Sequence, residues 1–157
     1  MELIGKTTIN PVLFYSGKVS GYFTWIILLL QFIGIDFLKV NSTTFTKYIT
    51  LILLLLGLVL IFISLINLGR STRLGLPTAN TTFKSNGIYR ISRNPMYLGF
   101  NLLTISSIFY SHSIIILALG IYSIIIYHLI ILGEEKYLKN KFGNTYLGYL
   151  KKVRRYI

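Results

Sequence analysis

No cysteine occurs among the 157 residues, which excludes disulfides and thiolate metal sites and leaves the redox compartment undecided. Acidic residues are nearly as scarce: four Asp and Glu stand against 16 Lys and Arg. Two histidines with no cluster of carboxylates around them do not make a zinc site. A phosphate-binding glycine loop, a Ser/His/Asp nucleophile pattern and an internal repeat are all missing. Charged residues of both signs make up 13% of the chain, where a soluble domain carries about 25%. What remains is apolar, with 54% hydrophobic residues and a mean hydropathy of +0.67. A chain of this length has room for one domain, and lipid is its plausible solvent.

The net charge of +12 would raise the question of nucleic acid in a soluble protein. Here the basic residues cluster at the ends of apolar runs, where they meet anionic lipid headgroups, so membrane lipids and not nucleic acid are the expected partners. Four apolar runs stand out: Tyr22–Leu38, interrupted by Gln31 and Asp36; Tyr48–Leu68; Met96–Tyr110; and Ile114–Leu132. About 20 helical residues cross the hydrocarbon. The second and fourth runs meet that length, the first nearly does, and the third must tilt, thin the bilayer or borrow residues. A spanning segment must satisfy its own backbone, hence helices. The first run begins only after twenty residues and is followed by no small-residue cleavage site, so it reads as a retained span.

The connector 39–47 carries only its flanking lysines and the turn Ser111-His112-Ser113 no formal charge, whereas the loop 69–95 holds Arg70, Arg73, Lys84, Arg90 and Arg93. The tail 133–157 holds seven more lysines and arginines. The positive-inside rule places that loop, the tail and both termini in the cytoplasm. Two spans separate loop from tail, so both emerge on one side. In the tail, Tyr137, Leu138, Phe142, Tyr146, Tyr149, Leu150 and Val153 recur at spacings of three and four between basic residues, a pattern suited to the membrane surface. Gly143 and Gly148 are expected breaks. The expected fold is all-α: one integral membrane domain over residues 1–157, with four transmembrane helices and an amphipathic C-terminal cytoplasmic helix.

Several residues have two readings. Glu134 and Glu135 follow the fourth span; they either complement a helix dipole and pair with Lys139, or face a sulfonium or ammonium group. Asn94-Pro95 marks a helix start, with Asn94 as the cap. Arg90 and Arg93 could converge on a carboxylate or phosphate. Tyr89 and Tyr97 offer faces to a purine or a cation, or simply anchor at the interface. His128 lies inside the fourth span, where a polar residue is a functional candidate.

The stretch Gly87-Ile88-Tyr89-Arg90, then Arg93-Asn94-Pro95-Met96-Tyr97-Leu98-Gly99, is followed after a hairpin of two spans by Glu134-Glu135-Lys136-Tyr137-Leu138. Phe142-Gly143-Asn144-Thr145-Tyr146-Leu147-Gly148-Tyr149 and Val153-Arg154-Arg155 come next. This order resembles the integral membrane methyltransferases of the isoprenylcysteine carboxyl methyltransferase and phospholipid (phosphatidylethanolamine) N-methyltransferase type. It covers roughly residues 68 to 155; the first two spans match only as hydrophobic helices. The resemblance implies S-adenosylmethionine as cofactor, a lipid-like or prenylated acceptor, and a cofactor site built from 69–100 and 128–157. It implies that Glu134 and Glu135 meet the cofactor's cationic groups, and that Arg93, Asn94, Pro95, Tyr97 and Leu98 line its pocket. Tyr89 and Arg90 approach the reacting centre, and Tyr146, Tyr149 and Arg154 close over it, with His128 beside them. Arg90 and Glu135 are the expected catalytic residues. Asn94 stands where the carboxyl methyltransferases usually carry His, the proline after Val-x-Arg is missing, and the loop before Gly87 lacks expected acids, so the acceptor stays open. A sterol-type NAD(P)H reductase shares a similar C-terminal half but carries Arg-His-Pro-Asn-Tyr in place of Arg-Asn-Pro-Met-Tyr; a non-enzymatic lipid-binding protein leaves the Glu pair unexplained.

Overall fold

The computed structural model describes residues 7–35, 43–69 and 83–157; Asp36, Arg70 and Arg73 lie outside them. Among these residues four helices follow in order: α1 (Pro11–Phe32), α2 (Thr44–Leu68), α3 (Pro95–Ser111) and α4 (Ile114–Lys152), with the 3-10 turn Gly87–Arg90 ahead of α3. Three of them, α1, α2 and α4, are long and apolar enough to cross a membrane. At 17 residues α3 is shorter. It is nevertheless the hub, packing on α1, α2 and α4.

Lipid tails are as apolar as leucine, so close packing and interhelical hydrogen bonds, each worth about 0.6 kcal/mol, hold such helices together. Both are present. Gly57 and Gly99 let α2 and α3 cross so closely that a Cβ on Gly99 would lie 2.7 Å from the Gly57 carbonyl oxygen. Gly17 and Gly21 of α1 seat against Ile126, Ser123 and Tyr127 of α4. From α3, Ser106 donates to the Thr50 carbonyl on α2 (2.9 Å) and Ser107 to the Thr24 carbonyl on α1 (2.6 Å). Trp25 Nε1 of α1 in turn donates to Thr104 Oγ1 (2.9 Å).

The first span differs from expectation. The helix runs from Pro11 to Phe32, not from 22 to 38. Asn10 caps it by accepting from the Val12 amide (2.9 Å), Pro11 opens it, and it ends at a turn through Gly34, whose φ is 85°. A hydropathy reading skips residues 11–21 because Ser16, Gly17, Lys18, Ser20 and Gly21 look polar. Ser16, Gly17, Ser20 and Gly21 form the face that packs on α4, where Ser20 donates to the Leu119 carbonyl (2.9 Å) and Ser16 meets the Tyr122 hydroxyl (2.7 Å). The second span starts at Thr44, four residues before the apolar run, and the third matches its run to one residue at each end.

The fourth span does not stop at Leu132. The helix continues through the acidic pair to a kink at Gly143, where φ is 51° and ψ −127°, a conformation open to glycine and strained for other residues. Gly148 makes no break. After the kink the chain turns back on itself. Tyr146, Tyr149 and Val153 pack with Phe83, and the last residues return to the start of α3.

The helix ends sort into two faces. Thr8 lies against Gly133, Asn67 against Gly87, and Tyr97 against Glu134, so the α1 N-terminus, the α2 C-terminus, the α3 N-terminus and the far part of α4 share one face. At the opposite face Ser111 donates to Gln31 Oε1 (2.9 Å) and Phe32 stacks on Tyr110.

Candidate functional site

The loop before α3 and the chain end after α4 meet in one junction on the first of these faces. Ser92 and Arg154 form a parallel bridge, and the Arg93 amide donates to the Arg154 carbonyl (3.0 Å). Ser92 Oγ and Asn94 Nδ2 both donate to the Arg155 carbonyl, at 3.3 and 3.2 Å. Asn94 stands at the N-cap position of α3, but its side chain makes no cap hydrogen bond; its amide is taken by the tail. Its role is to join two chain segments, a correction to the simple cap expected.

Glu135 is the centre of this junction. Arg93 donates to Oε1 from Nε (3.1 Å) and Nη2 (2.9 Å), and Arg155 donates to Oε2 from Nη2 (2.8 Å). The remaining nitrogen of Arg93, Nη1, donates to the Val153 carbonyl (2.9 Å) and the Leu150 carbonyl (3.4 Å). Burial pushes the Glu135 carboxyl up, but the hydrogen bonds from Arg155 and Arg93 outweigh it and hold it below the usual carboxylate range. Arg155 is held above its ordinary value, first by the hydrogen bond to Glu135. Arg155 was missed as a site residue: the sequence motif includes it, but nothing in the spacing says that it rather than Arg154 turns inward.

Glu134 has a different environment. Its Oε1 accepts from the Tyr97 hydroxyl (2.7 Å), and among the described residues Oε2 accepts no hydrogen bond. The Tyr97 ring is buried between Phe100 and Tyr127. At ~1.5 Å per residue Glu134 lies about 30 Å along the helix from Ile114, a length close to the thickness of a hydrocarbon core.

A second aromatic group roofs the junction. Phe83 packs on Phe142, Tyr146 and Tyr149 at centroid distances of 5.4, 5.6 and 5.2 Å. The Tyr149 hydroxyl donates to the Tyr89 carbonyl, which ties the roof to the 3-10 turn. Tyr89 is buried, and burial, with Tyr149 and Glu134 nearby, pushes its hydroxyl up to about 12; it is neutral at physiological pH.

The structure thus brings Tyr89, Arg93, Asn94, Pro95, Tyr97, Glu134, Glu135, Tyr146 and Tyr149 to one end of the bundle. Pro95 is buried as the first residue of α3, and Leu98 is half-buried one turn on, its amide donating to the Asn94 carbonyl (3.0 Å). The side chains of Arg90 and Arg154 are exposed; Arg154 takes part through its backbone. His128 stands apart. Its Nδ1 meets the Tyr156 hydroxyl at 2.7 Å, so it pins the chain end to α4. Tyr156 and Phe83 were not singled out from the sequence, because only the fold-back after Gly143 gives them partners.

A family model described as Phospholipid methyltransferase matches residues 45–145, well over half of the chain. No curated protein and no solved structure matches it.

Proposed function

Because the chain belongs to the phospholipid methyltransferase family, we propose that this membrane protein transfers a methyl group from S-adenosylmethionine to a lipid-like or amphiphilic acceptor at the cytoplasmic membrane face. In this reading α3 is a fourth span, accommodated by tilt or local thinning, and the basic segment after Gly143 lies along the membrane surface. The junction face carries Lys84, Arg90, Arg93 and the basic tail residues, whereas the described part of the opposite face carries Lys47. That asymmetry supports cytoplasmic termini.

The observation that carries the reading is the meeting of loop and tail around the acidic pair. The donor set fits the cofactor. Among the described residues Glu134 offers an oxygen without a hydrogen bond, beside tyrosine rings, to an ammonium or sulfonium group, and a purine would stack on Tyr89, Tyr146 or Tyr149 once the roof over these buried rings parts. The bound cofactor supplies an electrophilic methyl group on a sulfonium. The protein's task is then to orient two reactants and exclude water, which contributes several kcal/mol when the geometry is close to attack. Glu135, through Arg93 and Arg155, holds the tail over the site. Arg93, Asn94, Pro95, Tyr97 and Leu98 form its floor, His128 and Arg154 position the chain end, and the exposed Arg90 orients the acceptor. The acceptor is an isoprenylcysteine-type carboxylate or a phospholipid amine.

The test is to incubate membranes containing the protein with methyl-labelled S-adenosylmethionine and follow the label into the lipid extract. Label should appear there, and the purified protein should bind S-adenosylhomocysteine in the micromolar range. Binding of NADPH with no binding of S-adenosylhomocysteine would overturn the proposal.

A further inference from the structure

A lysine of α1 lies away from the basic loop and tail. Lys18 is half-buried within α1, in the length that packs on α4. Its neighbours Gly17 and Gly21 seat on Ile126 and Tyr127, so its backbone is about two turns below Glu134. A lysine placed there runs its stem along apolar surface and carries its charge toward the interface. The Lys18 ammonium lies 4.2 Å from the centre of the Phe14 ring, one turn nearer the site face. Phe14 shares a buried cluster with Tyr97, whose hydroxyl holds Glu134, and Lys18 and Glu134 feel each other electrostatically. Both ion pairs among the described residues use Glu135, and Lys18 has none within that set.

Below Lys18 the same flank of α1 carries Tyr22 and Trp25. Tyr22 contacts Trp25 and Trp25 contacts Phe100 of α3, both at 5.3 Å. Tyr22 is 39% exposed, so this aromatic strip follows the α1–α3 contact with its outer edge exposed, a cation at its upper end and the proposed reacting centre about two turns above that.

We infer that the outer edge of the α1–α3 contact is the acceptor subsite: Lys18 binds the anionic group of the amphiphile's head, phosphate or carboxylate, and the strip Tyr22–Trp25–Phe100 lies along its chain. The inference rests on the proposed methyl-transfer reading for its purpose, but the binding stands on charge complementarity alone. Both acceptor classes carry an anion, and Lys18 would hold either one with its head turned to Glu134. Lys18 is then a positioning residue on a helix outside the segments that resemble the family motifs.

The single tryptophan is a built-in reporter. Seven helical residues place Trp25 about 10 Å below Lys18. The detergent-solubilised full chain is titrated with three amphiphiles of one chain length, dibrominated about 10 Å from the head and ending in a phosphate monoester, a carboxylate or a hydroxyl. Saturable quenching of Trp25 is expected at concentrations roughly tenfold lower for an anionic head than for the alcohol, the preference that a charge-assisted hydrogen bond supplies. The tighter of the two anions identifies the source. Lys18→Gln should erase the preference and Lys18→Arg retain it. Equal quenching by all three heads in the unaltered protein, or a preference that survives Lys18→Gln, would overturn the subsite. Binding of S-adenosylhomocysteine is measured on the same samples. Its absence with the head preference intact would remove the methyltransferase reading and leave the subsite; its presence with no head preference would remove the subsite alone.

Discussion

Replacing Glu135 by Gln removes one charge from the centre of the loop–tail junction while keeping its size. Glu135 and Arg93 side chains are 13% and 11% exposed, Arg155 34%. Losing one partner of a buried pair costs about 3–5 kcal/mol, whereas an exposed pair contributes under about 1 kcal/mol. The Arg155 half is discounted for solvent screening, and the Arg93 half is softened because Nη1 keeps the Val153 carbonyl and the amide still offers an oxygen. The net cost to tail docking is about 2 kcal/mol, or roughly a thirtyfold rise in the open fraction. The Arg93 amide, bonded to the Arg154 carbonyl, reads that opening directly by hydrogen exchange. Its protection should fall roughly thirtyfold, while the Leu117 amide, bonded to the Ser113 carbonyl at the other face, keeps its own. Arg93 protection within about twofold of the unaltered protein, or an equal fall at Leu117, would refute the view that Glu135 is the clasp of the tail.

Because Glu135 is held below its ordinary value of 4.5, its contribution is complete above that value and is lost as pH falls through the lower folded one; Arg93 exchange should therefore be flat from neutral pH to about 5 and accelerate below 4.5, beyond the intrinsic trend. Gly99→Ala should lower stability by about 1–3 kcal/mol, seen as a lower thermal midpoint in detergent, since the new Cβ meets the Gly57 carbonyl and the Ile61 side chain. Tyr97→Phe removes a hydrogen bond to a carboxylate, a loss of about 1.5–3 kcal/mol, and should weaken S-adenosylhomocysteine binding roughly tenfold with helicity by circular dichroism unchanged. Tyr156→Phe frees His128 at a cost of about 1 kcal/mol, so carboxypeptidase should trim the chain end faster than in the unaltered protein.

An apolar run reveals a helix whose apolar side chains point outward, and the second was legible to within four residues for that reason, whereas the third was legible from the Asn94-Pro95 start and the Ser111-His112-Ser113 turn that bound its run. Such runs say little about a helix that faces other helices through small and hydroxyl side chains, which is why α1 starts eleven residues before its run. The meeting of loop and tail was legible from span parity and from motif order. Which partner each acid takes was not. Glu134 and Glu135 are adjacent in sequence but leave the helix about 100° apart, and that rotation sends one to a tyrosine and the other to two arginines. Lys18 was passed over because a lone lysine before an apparent span reads as an interfacial charge; only the neighbouring helices show what it leans toward.

If α3 is the fourth span, as proposed, its modest length has a consequence for how water and lipid meet. Seventeen residues cover about 25 Å against a hydrocarbon slab of about 30 Å. On that proposal the bilayer would dimple by several ångströms above Pro95 or leave that helix start recessed. A soluble cofactor could then descend toward the glycerol level, and an acceptor would need no hoisting out of its leaflet. Lengthening α3 by one turn at its C-terminal end would level the dimple and put the two reactants at different depths.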